Sequence, residues 1–257
     1  MDENKKNELR LFEEKRTCPC ISRILRNRGF ENITDNHWYS TWETSREDIT
    51  YSSIELLNDD NRFLFPNGMS VLLIGVNPRS TDNNQSYAEE IAEYLNSRNN
   101  NPEIMHRNGC PDALEPTRRN ALHDSLSSAE GTSRGIKELI TIDLFSKRTH
   151  TSQELKDLIE GTESIENIIG ENNQEMLRDT IAKADMIIIA WGGDINSEFW
   201  RRIPEYRNNL YEWLSDSIRK CRWYGATGNG CPRHIAFRNT DSFQDLNSTQ
   251  LSGIFGL

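Results

Sequence analysis

The chain of 257 residues lacks any apolar run near the roughly 18 residues that a membrane span requires. Its longest runs, Val71–Val76 and Met186–Trp191, are strand-sized. No apolar h-region follows Met1-Asp2-Glu3-Asn4-Lys5-Lys6, so a secretory leader is not expected. Cysteine is scarce and odd in number, five in all, which fits a reducing cytoplasm. Cys18-Pro19-Cys20 has one residue between its cysteines and so misses the C-x2-C of a zinc ribbon; no metal is expected. Basic residues are also in deficit, 30 against 40 acidic, for a net charge of −10, which taken alone argues against a nucleic-acid partner.

The distribution of that charge softens the argument. Residues 1–104 carry 12 basic and 18 acidic groups, and residues 151–190 carry 3 and 9. Residues 105–150 carry 7 and 6, and residues 191–257 carry 8 and 7. The acid therefore lies outside the two segments that hold most of the motifs described next, and DNA is permitted rather than indicated. Apolar residues make up 35 % of the chain and 22 are aromatic, enough for a core.

Residues 1–66 read as a helical or irregular amino-terminal extension, ending at the turn signal Pro66-Asn67-Gly68, with residues 67–257 as the main domain. That domain opens on Ser70-Val71-Leu72-Leu73-Ile74-Gly75-Val76, the unbroken apolar run of a strand buried on both faces. Ser86 with Glu89 makes a capping box for a helix through Leu95. Further helices are expected from Pro116 through Leu126, over Glu171–Ala184, and over 197–220 with a break near Pro204. Further strands are expected at Leu139–Phe145, Asp185–Trp191 and Trp223–Gly225. This alternation predicts a three-layer α/β/α domain around a central four-stranded, mainly parallel sheet.

Ligands of open parallel sheets sit at the carboxyl ends of the strands. Four polar clusters fall there: Asn77-Pro78-Arg79-Ser80-Thr81-Asp82, Asp143 with Ser146-Lys147-Arg148, Trp191-Gly192-Gly193, and Gly228-Asn229-Gly230-Cys231-Pro232-Arg233-His234. Asn77-Pro78 also serves to turn a chain out of a strand, and Ser80, Thr81 and Asp82 are helix-capping residues. Trp191 reads as core or as a base-stacking platform. Arg79, Arg118, Arg119, Lys147, Arg148 and Arg233 read as a solvated face or as a phosphate track. A Cys231–His234 nucleophile has no third orienting group in view.

Gly75-Val76-Asn77-Pro78 after an apolar strand resembles the first motif of the uracil-DNA glycosylase superfamily, in its thymine/mismatch-specific branch, and His234 resembles that superfamily's second catalytic motif. Closer still is the resemblance to a bacterial and phage family with an Asn-Pro-Ser-Thr-Ala-Asp signature. Pro116-Thr117-Arg118-Arg119-Asn120, Asp143-Leu144-Phe145-Ser146-Lys147-Arg148-Thr149 and Gly230-Cys231-Pro232-Arg233-His234 match its other motifs. The resemblance covers about residues 70–240, with Arg79 and Ile235 as departures. It implies a glycosylase-like fold and a cofactor-free DNA glycosylase.

In that scheme Asn77 positions the water, with Asp82 as a second contact to it, and His234 donates to base O2 as negative charge develops there. Pro78, Asp143 and Trp191 would surround the base, and Arg79, Ser80, Arg118, Arg119, Lys147, Arg148 and Arg233 would hold DNA. Asp143 stands where the superfamily has an Asn that reads the pyrimidine edge. A carboxylate only accepts hydrogen bonds, which suits the N4 amino group of cytosine rather than the O4 of uracil. The expected substrate is therefore a modified cytosine in double-stranded DNA, as in phage DNA, excised by a cytoplasmic monomer in antiviral defence or repair. The alternative is a non-catalytic sensor of nucleotides or modified bases with the same pocket.

Overall fold

The computed structural model describes residues 11–17, 25–27, 38–44, 48–58, 60, 62–76, 116–149, 151–161, 164–193, 195–235 and 243–257. Four strands come first: β1 (Leu11–Thr17), β2 (Trp38–Thr44), β3 (Ser52–Leu57) and β4 (Met69–Gly75). Helices α1 (Pro116–Ser127) and α2 (Ala129–Arg134) lead to β5 (Ile136–Asp143). Then follow α3 (Ser152–Gly161), α4 (Glu166–Ile169), α5 (Glu171–Lys183), β6 (Met186–Ile189), α6 (Ser197–Trp200) and α7 (Pro204–Asp216). A 3-10 turn at Ile218–Lys220 precedes β7 (Cys221–Trp223), β8 (Gln244–Asp245) and α8 (Ser248–Phe255). The hydrogen-bonded strand order is β1-β2-β3-β5-β4-β6-β7-β8.

The chain divides into two compact units. One takes in Met1–Arg46, Tyr51–Ser70 and Asp82–Ile140; the other takes in Glu47–Thr50, Val71–Thr81 and Thr141–Leu257. In the first unit β1, β2 and β3 form an antiparallel run, with Leu11 opposite Thr44 and Trp38 opposite Leu57. Proline opens α1, where its missing N–H costs nothing. Ser128 caps α2 by accepting from Gly131 N at 3.0 Å. At the start of β4, Met69 N donates to Gly135 O at 3.0 Å.

In the second unit β4, β6 and β7 are parallel, with Val71 beside Met186, Ile74 beside Ile189, and Ile189 beside Trp223. Leu144 N donates to Gly75 O at 3.1 Å. Since β4 and β5 meet both at their starts and at their ends, they also run in the same direction. Val71–Ile74 and Ile187–Ile189 are 0–1 % exposed. Burying each such side chain contributes about 1.5–3 kcal/mol, which is why the unbroken apolar runs become these strands. β8 then closes antiparallel on β7, with Gln244 opposite Trp223.

The expectation of a four-stranded, mainly parallel sheet is corrected by this arrangement: the sheet is mixed and larger, within the same α/β class. The added strands lack the continuous apolar run by which a two-sided buried strand is recognised. β1 reads LFEEKRT, β2 reads WYSTWET and β8 is only two residues long. Residues 1–66, read as helical or irregular, contribute β1 to β3; in β3 the polar Ser52, Ser53 and Glu55 are as buried as Ile54 and Leu56. The expected break near Pro204 separates α6 from α7. The helix expected from Ser86 to Leu95 lies outside the described residues. No described helix is long and apolar enough to cross a membrane.

Candidate active site

Four neighbouring strands have their last residues in the second unit, β5 at Asp143, β4 at Gly75, β6 at Ile189 and β7 at Trp223. Parallel strands leave the edge at their carboxyl ends open for a ligand because their connections depart from it. Asn77, Pro78, Arg79, Ser80 and Asp82, expected just beyond β4, lie outside the described residues. What the structure shows is how the strands on either side of β4 present their side chains.

On the β5 side the Asp143 carboxylate lies across Gly75, so that a Cβ added at Gly75 would coincide with Asp143 Oδ1. Gly75 is therefore a space for that carboxylate, which gives the glycine of Gly75-Val76-Asn77-Pro78 a physical reason. The Asp143 backbone is held as firmly. Its N–H donates to Thr50 Oγ1 at 2.8 Å, and its carbonyl accepts from Asn173 Nδ2 at 2.9 Å.

On the β6 side the chain turns at Gly192, whose φ of +89° favours a residue without Cβ. His234 stands over it, with its Cβ 3.4 Å from where a Gly192 Cβ would be. The loop that carries His234 is built by its own backbone: Thr227 N donates to Cys231 O at 2.8 Å, Gly230 N to Thr227 O at 3.0 Å, and Arg233 N to Gly225 O at 3.0 Å. Cys231 Sγ donates to Gly193 O at 3.3 Å and ties the loop to the turn after β6. Cys231 is thus a buried anchor, 1 % exposed, and not a nucleophile facing solvent. Asp143 thus ends the strand on one side of β4, and His234, carried by the loop after β7, stands over the turn that follows the strand on its other side.

Trp191, given above as core or base platform, is core. It is 1 % exposed and packs edge-on against Trp200 and Phe255, each at 6.0 Å between ring centroids. That corrects its assignment as a base-binding residue: a ring enclosed by other rings has no free face for a base. Of the expected DNA-binding residues, Lys147 and Arg233 are exposed and Arg148 is half-buried, all three in the second unit near its strand ends. Arg233 Nε donates to Ala226 O at 3.0 Å, which braces the His234 loop. Arg118 and Arg119 lie on α1 of the first unit, where Arg118 is half-buried.

Sequence reasoning missed Thr50 and Asn173. Nothing in Asp48-Ile49-Thr50 or Asn172-Asn173 distinguishes them from solvated polar residues, yet Thr50 is 6 % and Asn173 0 % exposed. Elsewhere in this unit burial holds two groups neutral. The Cys221 thiol is pushed up to about 12. The Tyr206 phenol is likewise raised by burial and donates to Leu144 O at 2.8 Å. Among the described residues no group of three or more His, Cys, Asp or Glu side chains is placed to hold a metal ion.

Residues 111–234 match a protein-family model described as "Protein of unknown function (DUF1643)". The matched stretch includes Asp143 and ends on His234. Neither a curated protein nor a solved structure matches the chain.

Proposed function

We propose that the second unit is a DNA glycosylase site that excises a modified pyrimidine, a cytosine derivative, from double-stranded DNA. The observation that supports it is the placement of the Asp143 carboxylate against Gly75 at the end of β4 and of His234 against Gly192 in the turn after the neighbouring β6. Asp143 offers an acceptor-only group and His234 a donor-capable ring. That is the complement a cytosine-type base calls for: a carboxylate for its N4 amino group and an imidazole N–H for O2.

In this reading the nucleotide is flipped out of the duplex and water attacks C1′ as the C1′–N1 bond breaks. The bonding pair leaves with the base, His234 stabilises the charge that collects at O2, and the departing base takes up the proton that the water gives off. Asn77 holds the water through its side-chain amide, with Asp82 as a second contact to it. Lys147, Arg148 and Arg233 meet the phosphates beside the strand ends. The reaction needs no cofactor, and the glycosylase-like three-layer arrangement belongs to the same proposal.

The test is base release, measured by mass spectrometry of the small-molecule fraction. Duplexes carry uracil, a thymine mismatch, 5-hydroxymethylcytosine or its glucosylated form. Release of one cytosine-derived base, absent with Asn77→Ala and His234→Ala proteins that remain folded, is the expected result. Release of uracil alone refutes the role given to Asp143. No release from any duplex, with tight binding of a nucleotide, replaces the enzyme with a sensor.

A further inference from the structure

Asp143 ends β5, and its backbone N–H and carbonyl take side-chain partners in place of a continued strand ladder. Thr50 Oγ1 accepts from Asp143 N at 2.8 Å and donates to Asn173 Oδ1 at 2.9 Å. Asn173 Oδ1 also accepts from Thr50 N at 2.7 Å, while Asn173 Nδ2 donates to Asp143 O at 2.9 Å. A second link fastens the same segment to the first turn of α5, where Asn172 Nδ2 donates to Asp48 Oδ2 at 2.6 Å. Two buried polar side chains thus close a ring of hydrogen bonds around the backbone of one residue.

A strand end needs no such ring merely to stop. Its polar groups can be left to water, or satisfied by one partner each. Here a single residue is gripped on both its donor and its acceptor, and that residue carries the carboxylate lying across Gly75. A carboxylate at the tip of a strand moves with its backbone and with its own side-chain torsions. The ring holds the backbone, and the missing side chain at Gly75 leaves room for the carboxylate where it lies.

We infer that Thr50 and Asn173 are positioning residues that aim the Asp143 carboxylate, and that through it they set which exocyclic group of a base the site accepts. The inference rests on the reading of Asp143 as the group facing the base. It also gives the short segment ending at Thr50 a part in specificity, although that segment is remote in sequence from every motif.

The experiment compares full-length wild type, Thr50→Val, Thr50→Ser and Asp143→Asn, and combines Thr50→Val with Asp143→Asn. For each, kcat/KM for base release is measured on duplexes carrying 5-hydroxymethylcytosine, its glucosylated form or uracil. Valine matches threonine in shape but removes the hydroxyl, and faster hydrogen exchange at the Asp143 amide reports that the bond is broken. The expected loss of cytosine-over-uracil discrimination in Thr50→Val is about three- to tenfold, the value of one hydrogen bond. Thr50→Ser restores it, and in the Asp143→Asn background Thr50→Val changes discrimination no further, because Thr50 acts through Asp143. Wild-type discrimination in a Thr50→Val protein whose Asp143 amide exchanges faster overturns the inference and leaves the glycosylase reading standing. A wild-type protein that releases no base overturns the glycosylase reading and the inference with it.

Discussion

Gly75 and Asp143 share one space: the carboxylate oxygen of Asp143 occupies the position that a side chain at residue 75 would need. The glycine that closes β4 and the acid that closes β5 are therefore a single structural choice. Gly75→Ala forces the carboxylate aside against a well-packed strand end, at about 1–3 kcal/mol of stability. The expected outcome is a lower urea midpoint with cytosine-over-uracil discrimination lost. A Gly75→Ala protein that keeps both would show that Asp143 has another position open to it.

Gly192 plays the corresponding part for His234, but through its backbone. At φ +89° an alanine is strained, by roughly 1–2 kcal/mol, while its Cβ just clears the histidine. Gly192→Ala should lower stability by that amount in chemical denaturation. Relaxation of the strain moves the turn on which His234 stands, so base release should fall more than binding does.

Asp143→Asn replaces an acceptor with a group that both donates and accepts. The variant should gain uracil relative to the cytosine derivative by about 1–3 kcal/mol of discrimination, measured as a ratio of kcat/KM values. Unchanged preference would detach Asp143 from base reading.

Alkali should unfold the protein through its buried neutral acids. The Cys221 thiol, 9.0 in its ordinary state, is raised to about 12 by burial, and the Tyr206 phenol is raised above its usual 10.0. Between pH 9 and 12 the unfolded chain loses these protons while the folded chain keeps them. Stability is thus complete below pH 9 and falls as pH rises towards 12. Urea midpoints across that window should decline, and less steeply in Cys221→Ala. Tyr206→Phe should also flatten the decline, while lowering stability at neutral pH by about 1–2 kcal/mol for the bond lost to Leu144 O.

Lys147, Arg148 and Arg233 carry the proposed phosphate contacts. Replacing any one with glutamine should weaken duplex binding across all sequences and reduce the slope of log K against log salt by about 1. Binding that ignores salt would point to a free nucleotide as the ligand.

The central strands were legible because burial on both faces demands apolar residues at every position: Val71–Ile74 and Met186–Ile189 can be read without a structure. Asp143 and His234 were legible as polar residues following such runs. Trp191 followed one too, and its burial shows that position after a strand does not say which way a side chain turns. β3 was hidden because Ser53 and Glu55 look solvated yet are buried. Thr50 and Asn173 were hidden for a related reason: their worth lies in a pairing across 123 residues, and no local pattern encodes a partner so distant.

That separation has a consequence for how the protein is made. Asp143 is synthesised thirty residues before the asparagine that completes its ring, and Thr50 waits far longer. While the chain grows from the ribosome, the tip of β5 must stay unfinished until residue 173 has emerged. Contacts so far apart in sequence carry a loop-closure cost that local contacts do not. A nascent chain halted before Asn173 would carry the Asp143 carboxylate without the bond that its backbone carbonyl accepts from Asn173.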